Sequence, residues 1–417
     1  MKLLRNNRNF TLVFFGALVS SVGDVLFSFA MGLYILDVTH SAVMLSLYGI
    51  IGGVTWIVLA PFGGVMVDRM SRVKIIYMTD FVRGVNILFC GGVMLLTDDP
   101  MIIMVCLCLS SIISSINGAL FGPASQAIIP MTVEDDSLVQ ANSLMSLMYG
   151  IKDVFGMLLA GILYSLLGPI IVVFINGISF IISGFTEMFI KVEEGAETHP
   201  KVRSNVLVEM KEGFHYIVSK NAAIMMLLVI VNFKNLALGP IQSVLIPYLM
   251  NEHIQANQMH LSYVYMAMAL GGILGSLGVA NGWLKGTTYQ VLKYSLFMLL
   301  GTLFIQWGGF EWFNFGTLPY LGFFSILVTA FIISGIINVL VQVPIMSSLQ
   351  KVVEPEYHGR VMSLFTMISS ISAPISLMIG GVVIDQFGIG ITYLISIGFL
   401  ILGMVGMFMS KTLKKIS

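Results

Sequence analysis

The stretch GVMVDRMSRVKII, residues 64–76, is a short charged loop with an apolar run on each side. The run before it extends over residues 42–66, and the run after it extends over residues 75–96. Each run supplies the roughly 20 mostly apolar residues that a helix needs to cross the hydrocarbon core of a bilayer. We therefore predict that the loop joins two membrane-spanning helices.

Apolar runs separated by short polar breaks continue along the chain on both sides of this loop. Hydrophobic residues make up 57% of the 417 residues and charged residues only 10%, whereas about 25% of the residues of a soluble domain are charged. This composition excludes a water-soluble globular protein. The runs predict an all-α polytopic membrane protein with twelve transmembrane helices, at residues 10–36, 42–66, 75–96, 101–127, 138–167, 169–190, 222–250, 258–283, 290–308, 317–347, 358–386 and 389–410.

The distribution of basic residues orients these spans. The chain has 21 Lys and Arg residues. Because basic residues concentrate in cytoplasmic loops, the side of the membrane without them is the outside, and both termini are predicted to be cytoplasmic. The outer segments without Lys or Arg are residues 37–41, 97–100, 168–169, 251–257, 309–316 and 387–389.

The longest polar stretch, residues 191–221, divides the chain into two halves. We predict an N-terminal six-helix bundle at residues 1–190, a cytoplasmic linker at 191–221 and a C-terminal six-helix bundle at 222–417. Apolar residues of the linker recur at helical spacing between residues 206 and 218, with charges opposite. This pattern predicts an amphipathic helix on the inner membrane surface, although a plain covalent tether is the alternative.

The two halves also resemble each other in sequence. Pro123 and Glu134 in the first half correspond to Pro344 and Glu354 in the second, at a shift of 221 or 220 residues. Parallel repeats of six helices are a transporter architecture with a substrate site near the midplane. We therefore predict two six-helix pseudo-repeat bundles around a central cavity.

The charged loop at residues 64–76 resembles the signature that the major facilitator superfamily carries between its second and third spans. Ser71 stands where the usual second Gly would be. In this family the acidic residue and its basic neighbours bridge helix ends and help to close the inner side, whereas simple positive-inside anchoring is the alternative here. The gating residues that this resemblance implies are Gly64, Asp68, Arg69, Arg72 and Lys74.

Within the superfamily, the chain most resembles the branch of macrolide-efflux and siderophore-export proteins. One departure is Met157, which stands where the antiporter signature of span five carries Pro. The segments that carry the resemblance are NRNF at 7–10, SSVGD at 20–24, VQANSL at 139–144 and KEGFHYIVSKNAAIMMLL at 211–228.

Four ionisable residues fall near the middle of predicted spans: Asp24, Lys152, Asp153 and Lys234. A charge at membrane depth is costly and usually marks a transport pathway or a buried pair. We predict that these central charges couple protons to transport, with Asp24 as the first candidate for the proton carrier and Asp153 as the second. Candidate pairs are Lys152 with Asp24 and Asp153 with Lys234, and a static ion pair that fixes helix packing is the alternative.

Other polar residues are candidates for the substrate cavity or for the inner ends of the helices. The candidate cavity residues are Trp56, Gln126, Asn232, Gln242, Asn338 and Gln342. Helix–helix hydrogen bonds are the alternative use of the amides among them, and Trp56 could equally face lipid. The inner-end charges are Asp80, Arg83, Glu187 and Arg360, where contact with water or snorkelling is the alternative to a role in transport.

Several classes of function find no support in the sequence. The 21 basic and 21 acidic residues balance, which argues against a nucleic-acid partner. No phosphate-binding Gly loop, nucleophile constellation or metal-ligand spacing is present, so we predict neither an enzyme nor a cofactor or metal site.

The resemblance and the central charges together predict a secondary active transporter in a bacterial cytoplasmic membrane. It would export amphiphilic drug-like small molecules by alternating access and proton antiport. Its partners would be the small-molecule substrate, protons and the lipid bilayer, and the family implies a monomer. The alternatives are a dedicated siderophore or lipid exporter, an uptake carrier of the same fold, or a membrane-embedded sensor or enzyme.

Overall fold

The computed structural model describes residues 2–67, 70–192, 214–217, 222–283, 286–354 and 357–410, and it is helical with no strand among them. Ten helices in this part of the chain are long and apolar enough to cross a membrane. The helices are α1 Lys2–Asn6, α2 Arg8–Thr39, α3 Ala42–Val67, α4 Arg72–Leu96, α5 Pro100–Thr132, α6 Leu138–Glu187, α7 Ala222–Pro240, α8 Ile246–Tyr248, α9 Gln258–Ala280, α10 Thr288–Asn314, α11 Tyr320–Val352 and α12 His358–Met409. A 3₁₀ turn at Asp135–Ser137 precedes α6, and π-helical turns at Ile241–Leu245 and Leu249–His253 flank α8.

Two of the ten long helices each contain a break at a glycine. Gly168 interrupts α6 with φ 76° and ψ 169°, and Gly388 interrupts α12 with φ 83° and ψ 178°. Both breaks fall in segments that the sequence places between spans, at residues 168–169 and 387–389. Because each broken helix supplies two spans, the ten helices account for the twelve predicted spans, and the all-α polytopic fold is confirmed.

Polar side chains at the helix starts bind backbone N–H groups that have no partner within the helix. Asn7 accepts from the backbone N–H of Phe10 at 2.9 Å before α2, and Ser71 accepts from that of Lys74 at 3.1 Å before α4. Thr287 and Gln290 form a capping box at the start of α10. Such caps stabilise helix ends and fix where the chain turns back into the membrane.

Packing divides the chain into two units. The first comprises Met1–Pro200 with Met250–Ser262, and the second comprises Lys201–Leu249 with Tyr263–Ser417. In the first unit, Asn251 donates to Asp37 at 2.9 Å, which ties the segment Met250–Ser262 to the end of α2.

Most of the predicted linker lies outside the described residues. Residues 214–217 form a helical turn, in which Tyr216 and Ile217 are buried and Phe214 is exposed. Tyr216 stacks on Tyr357 with ring centroids 4.6 Å apart. The rest of the predicted amphipathic helix, and the proposed domain boundaries around it, remain predictions.

Glycines allow neighbouring helices of the second unit to approach closely. A Cβ on Gly271 of α9 would collide with the backbone oxygen of Ile332 on α11, and a Cβ on Gly335 of α11 would collide with the backbone oxygen of Met268. A Cβ on Gly272, by contrast, would meet nothing within 4 Å. Small residues at such contacts are typical of helix packing in membranes.

We predict that Gly168→Ala and Gly388→Ala lower the midpoint of thermal unfolding in detergent. At positive φ with ψ near 180° the backbone conformation is almost restricted to glycine, and strain there costs about 1–3 kcal/mol. Gly92→Ala is the control, since a Cβ at this helical position meets nothing within 4 Å. Equal midpoints for all three variants would contradict the assignment of the two breaks.

We also predict that Gly271→Ala destabilises the second unit, whereas Gly272→Ala at the adjacent position does not. The Cβ at position 271 meets backbone atoms that cannot rotate away, and overpacking of this kind costs about 1–3 kcal/mol. Thermal unfolding of the two purified variants compares them directly. A fall in midpoint for Gly272→Ala as large as that for Gly271→Ala would rule out the close contact as the cause.

Candidate functional site

A polar cavity of about 410 Å³ lies within the first unit, among helices α2 to α5. It combines one ion pair, several hydroxyl groups and three aromatic side chains, in a bundle whose exterior is apolar. A Cβ on Gly52 would collide with the Ser111 hydroxyl, so this glycine keeps part of the space open. The polar and aromatic residues that line the cavity are Asp24, Phe27, Ser28, Tyr48, Trp56, Arg83, Ser111, Ser114 and Ser115.

The ion pair in this cavity joins Asp24 of α2 to Arg83 of α4. Arg83 Nη1 lies 3.2 Å from Asp24 Oδ2, and the Arg83 side chain is 11% exposed while that of Asp24 is 47% exposed. The guanidinium lies 5.1 Å from the ring centroid of Phe180 and 5.8 Å from that of Phe121, which favours the cation. Arg83 is therefore held by the bundle, and Asp24 presents its carboxylate to the cavity.

This arrangement corrects the predicted pairing of Asp24. From the sequence, Lys152 is a candidate partner of Asp24 and Arg83 is an inner-end charge, whereas the structure pairs Asp24 with Arg83. Lys152 instead has its Nζ 5.7 Å from the Tyr149 ring centroid. The physical reason is helix rotation, because Arg83 lies on the face of α4 that is turned towards α2.

Asp80 and Glu187 form a second group of charges, buried among α2, α4 and α6. Their relative exposures are 0% and 1%. Ser20 Oγ donates to Asp80 Oδ2 at 2.7 Å, and it also lies 3.1 Å from Ser183 Oγ. Among the described residues, Asp80 Oδ1 and both carboxylate oxygens of Glu187 have no hydrogen-bond partner. Surrounding helices cover both acids, and their predicted role in transport remains a prediction.

A glycine makes room for the acid at the end of α6. The carboxylate of Glu187 packs against Gly16 of α2, where a Cβ would collide with Oε1. Ser183, one turn before Glu187, donates to the Gly16 carbonyl oxygen at 3.2 Å. Glu187 is thus part of the contact between α2 and α6.

A smaller polar cavity of about 230 Å³ lies within the second unit. Lys234 of α7 lines it and is 6% exposed, and its Nζ donates to Asn338 Oδ1 of α11 at 2.8 Å. Insertion of a lysine at the centre of a membrane helix costs about 2.5–3.5 kcal/mol. A neutral amide oxygen compensates this cost only partly. The polar residues that line the cavity are Lys234, Asn235, Gln242, Ser243, Asn338, Ser372 and Ser376.

Three of the six candidate cavity residues line one of the two cavities. Trp56 lines the first cavity, and Gln242 and Asn338 line the second. Gln126 and Gln342 are exposed and line neither cavity. Asn232 donates to the Leu228 carbonyl oxygen of its own helix at 2.9 Å.

The gating motif is described only in part. Gly64 lies near the end of α3, Arg72 is the first residue of α4, and the Lys74 side chain is exposed. Asp68 and Arg69 lie outside the described residues. The side chains of Asp153 and Arg360 also lie outside the described part of the chain, so their roles and the pairing of Asp153 with Lys234 remain predictions.

Several hydroxyl groups that line the cavities are missing from the sequence-based candidates. Ser111, Ser114 and Ser115 line the first cavity, and Ser115 donates to the Gly52 carbonyl oxygen at 2.9 Å. The repeated serine pairs in SSIISSI, residues 110–116, are the signal that could identify this face. No group of three or more His, Cys, Asp or Glu side chains that could hold a metal ion occurs among the described residues.

Comparison with known proteins agrees with this architecture. The family model of the Major Facilitator Superfamily matches residues 13–376. Macrolide efflux protein A of Streptococcus pyogenes is 26% identical over 395 residues, which cover 93% of this chain and 92% of that protein. Multidrug efflux pump Tap of Mycolicibacterium fortuitum is 23% identical over 413 residues, which cover 96% of this chain and 95% of that protein.

A solved structure shares the fold at low sequence identity. The crystal structure of a bacterial homologue of the iron transporter ferroportin superposes with a TM-score of 0.76 at 15% identity, covering 96% of this chain and 98% of that chain. With the family match over most of the chain, the resemblance predicted from the charged loop is confirmed, and the protein is a multi-pass membrane transporter that belongs to the Major Facilitator Superfamily.

Proposed function

We propose that this transporter exports amphiphilic drug-like small molecules across a bacterial cytoplasmic membrane, in exchange for protons. The macrolide and multidrug efflux proteins that resemble it support the direction and the substrate class. The separation of basic residues between the two sides supports cytoplasmic termini.

The observation that carries the proposal is the chemistry of the cavity in the first unit. Its volume of about 410 Å³ falls within the range of about 300–1,000 Å³ that is usual for small-molecule sites. Trp56 and Tyr48 supply flat amphipathic surfaces, and the serines and the carboxylate of Asp24 supply hydrogen-bond partners. Such a lining suits a molecule with an apolar body and a few polar or cationic groups.

The Asp24–Arg83 pair supplies a means to couple this site to protons. A proton on Asp24 removes its negative charge and ends the attraction to Arg83, whereas a deprotonated Asp24 restores the pair and offers a negative charge to the cavity. A substrate that favours the deprotonated form therefore displaces the proton. By linkage, the proton weakens substrate binding by the same factor.

Alternating access would then expose the cavity to one side of the membrane at a time. In this scheme Gly64, Asp68, Arg69, Arg72, Lys74 and Arg360 act at the cytoplasmic ends of the helices, where the family resemblance places the inner gate. The scheme applies to a single chain and requires no cofactor.

We predict that Asp24→Asn removes proton coupling and leaves the cavity able to bind substrate. In everted vesicles that hold a standing pH gradient, macrolides, cationic dyes and siderophores are added one at a time. A transported compound should collapse the gradient with the wild type and not with Asp24→Asn. With purified protein, substrate affinity should change with pH by about 5- to 150-fold in the wild type and stay constant in the variant.

Asp98→Asn is the matched control, because Asp98 is exposed outside the described spans and its loss neutralises one acid away from the cavity. It should behave as the wild type at equal abundance. Proton coupling that survives in Asp24→Asn would exclude Asp24 as the carrier. Direct flux of a single siderophore or lipid, with no response to drugs or dyes, would instead identify a dedicated carrier.

A further inference from the structure

We propose that the cavity of the second unit is an anion-binding subsite, in which Lys234 binds a carboxylate or a comparable anionic group of the transported molecule. The inference rests on the proposed function, because it adds a chemical feature to the substrate of the same transporter.

Lys234 brings a positive charge into this cavity. Lys234 Nζ has one hydrogen-bond partner among the described residues, the Asn338 amide oxygen at 2.8 Å. An ammonium group has three N–H donors, so two remain for a ligand. No Asp or Glu is among the described residues that line the cavity, so within the described part of the chain the ammonium has no acidic partner there.

The other polar groups of this cavity suit an anionic ligand that has hydrogen-bonding groups next to its charge. Asn338 accepts through Oδ1, which leaves its NH₂ group to donate beside the ammonium. Ser372 and Ser376 donate to carbonyl oxygens of their own helix at 2.7 Å each, so their oxygens remain as acceptors. A carboxylate next to a hydroxyl or amide group matches this set of donors and acceptors.

The first cavity provides an internal comparison. There the basic residue among the described lining, Arg83, is neutralised by Asp24 at 3.2 Å, which is the usual arrangement for a charge at membrane depth. Lys234 is similarly buried, but its described partner is a neutral amide. Lys234 therefore differs from Arg83 in facing a cavity with no described acidic partner.

The volume limits what can bind. The cavity volume of about 230 Å³ lies below the range of about 300–1,000 Å³ that is usual for sites of whole small molecules. The subsite therefore recognises an anionic substituent of a larger substrate.

Binding of fluorescein and fluorescein methyl ester to the purified protein tests the inference, because the two dyes differ only in a free benzoate group. The wild type should bind the free acid more tightly than the ester. Lys234→Met should weaken binding of the free acid by about 10- to 100-fold, which is the range for loss of a charged hydrogen bond, and should leave binding of the ester unchanged. Lys234→Arg should retain the preference for the free acid.

Asn338→Asp provides a second test that keeps the lysine in place. The new carboxylate would occupy the ammonium, so this variant should lose the preference for the free acid while it still binds the ester. Retained ester binding by both variants shows that the fold is intact. An equal loss for both dyes in Lys234→Met, or a preference for the acid that persists in Asn338→Asp, would overturn the subsite.

Everted vesicles separate this inference from the proposed function. Export of the ester, together with equal affinity of the purified wild type for both dyes, would overturn the subsite and leave the exporter standing. A Lys234-dependent preference for the acid, together with no export of any compound, would support the subsite and overturn the exporter.

Discussion

A helix that crosses a bilayer has no water to satisfy its backbone, and each N–H or C=O without a partner costs several kcal/mol in hydrocarbon. This constraint fixes the architecture of the protein. The long helices satisfy most of their backbone groups internally, and interior breaks with non-helical φ and ψ occur at Gly168 and Gly388. The lipid face also excludes charged side chains, so charges at membrane depth lie inside a bundle.

The buried charges meet this requirement in three different ways. Asp24 and Arg83 neutralise each other, and the aromatic rings beside Arg83 hold the cation. Asp80 accepts from a serine hydroxyl and Glu187 fills the space beside Gly16, and among the described residues no basic side chain is hydrogen-bonded to either acid. Lys234 has a neutral amide. The last arrangement leaves a basic side chain without an acidic partner among the described residues, which natural membrane helices tolerate mainly where the charge is used.

Hydropathy and loop charge predict the spans because both depend on the order of residues along the chain. The breaks at Gly168 and Gly388 fall at predicted loops for this reason. The pairing of charges depends instead on how each helix is rotated about its axis. Asp80 and Arg83 are three residues apart on one helix, yet Asp80 meets Ser20 and Arg83 meets Asp24. Residue spacing along one helix cannot predict which face meets which neighbour, and for this reason the proposed pair of Asp24 with Lys152 was wrong.

The two units show how one architecture can hold different chemistry. Gly168 and Gly388 are 220 residues apart and adopt nearly the same backbone conformation, so the repeat preserves the backbone where the chain reverses direction. The cavities do not preserve their charge, because one holds a neutral ion pair and the other a single ammonium. Backbone hydrogen bonding constrains both halves equally, whereas side chains that face a polar cavity are free to diverge. Selection for a particular substrate can therefore change the side chains that line the cavities without disturbing the fold.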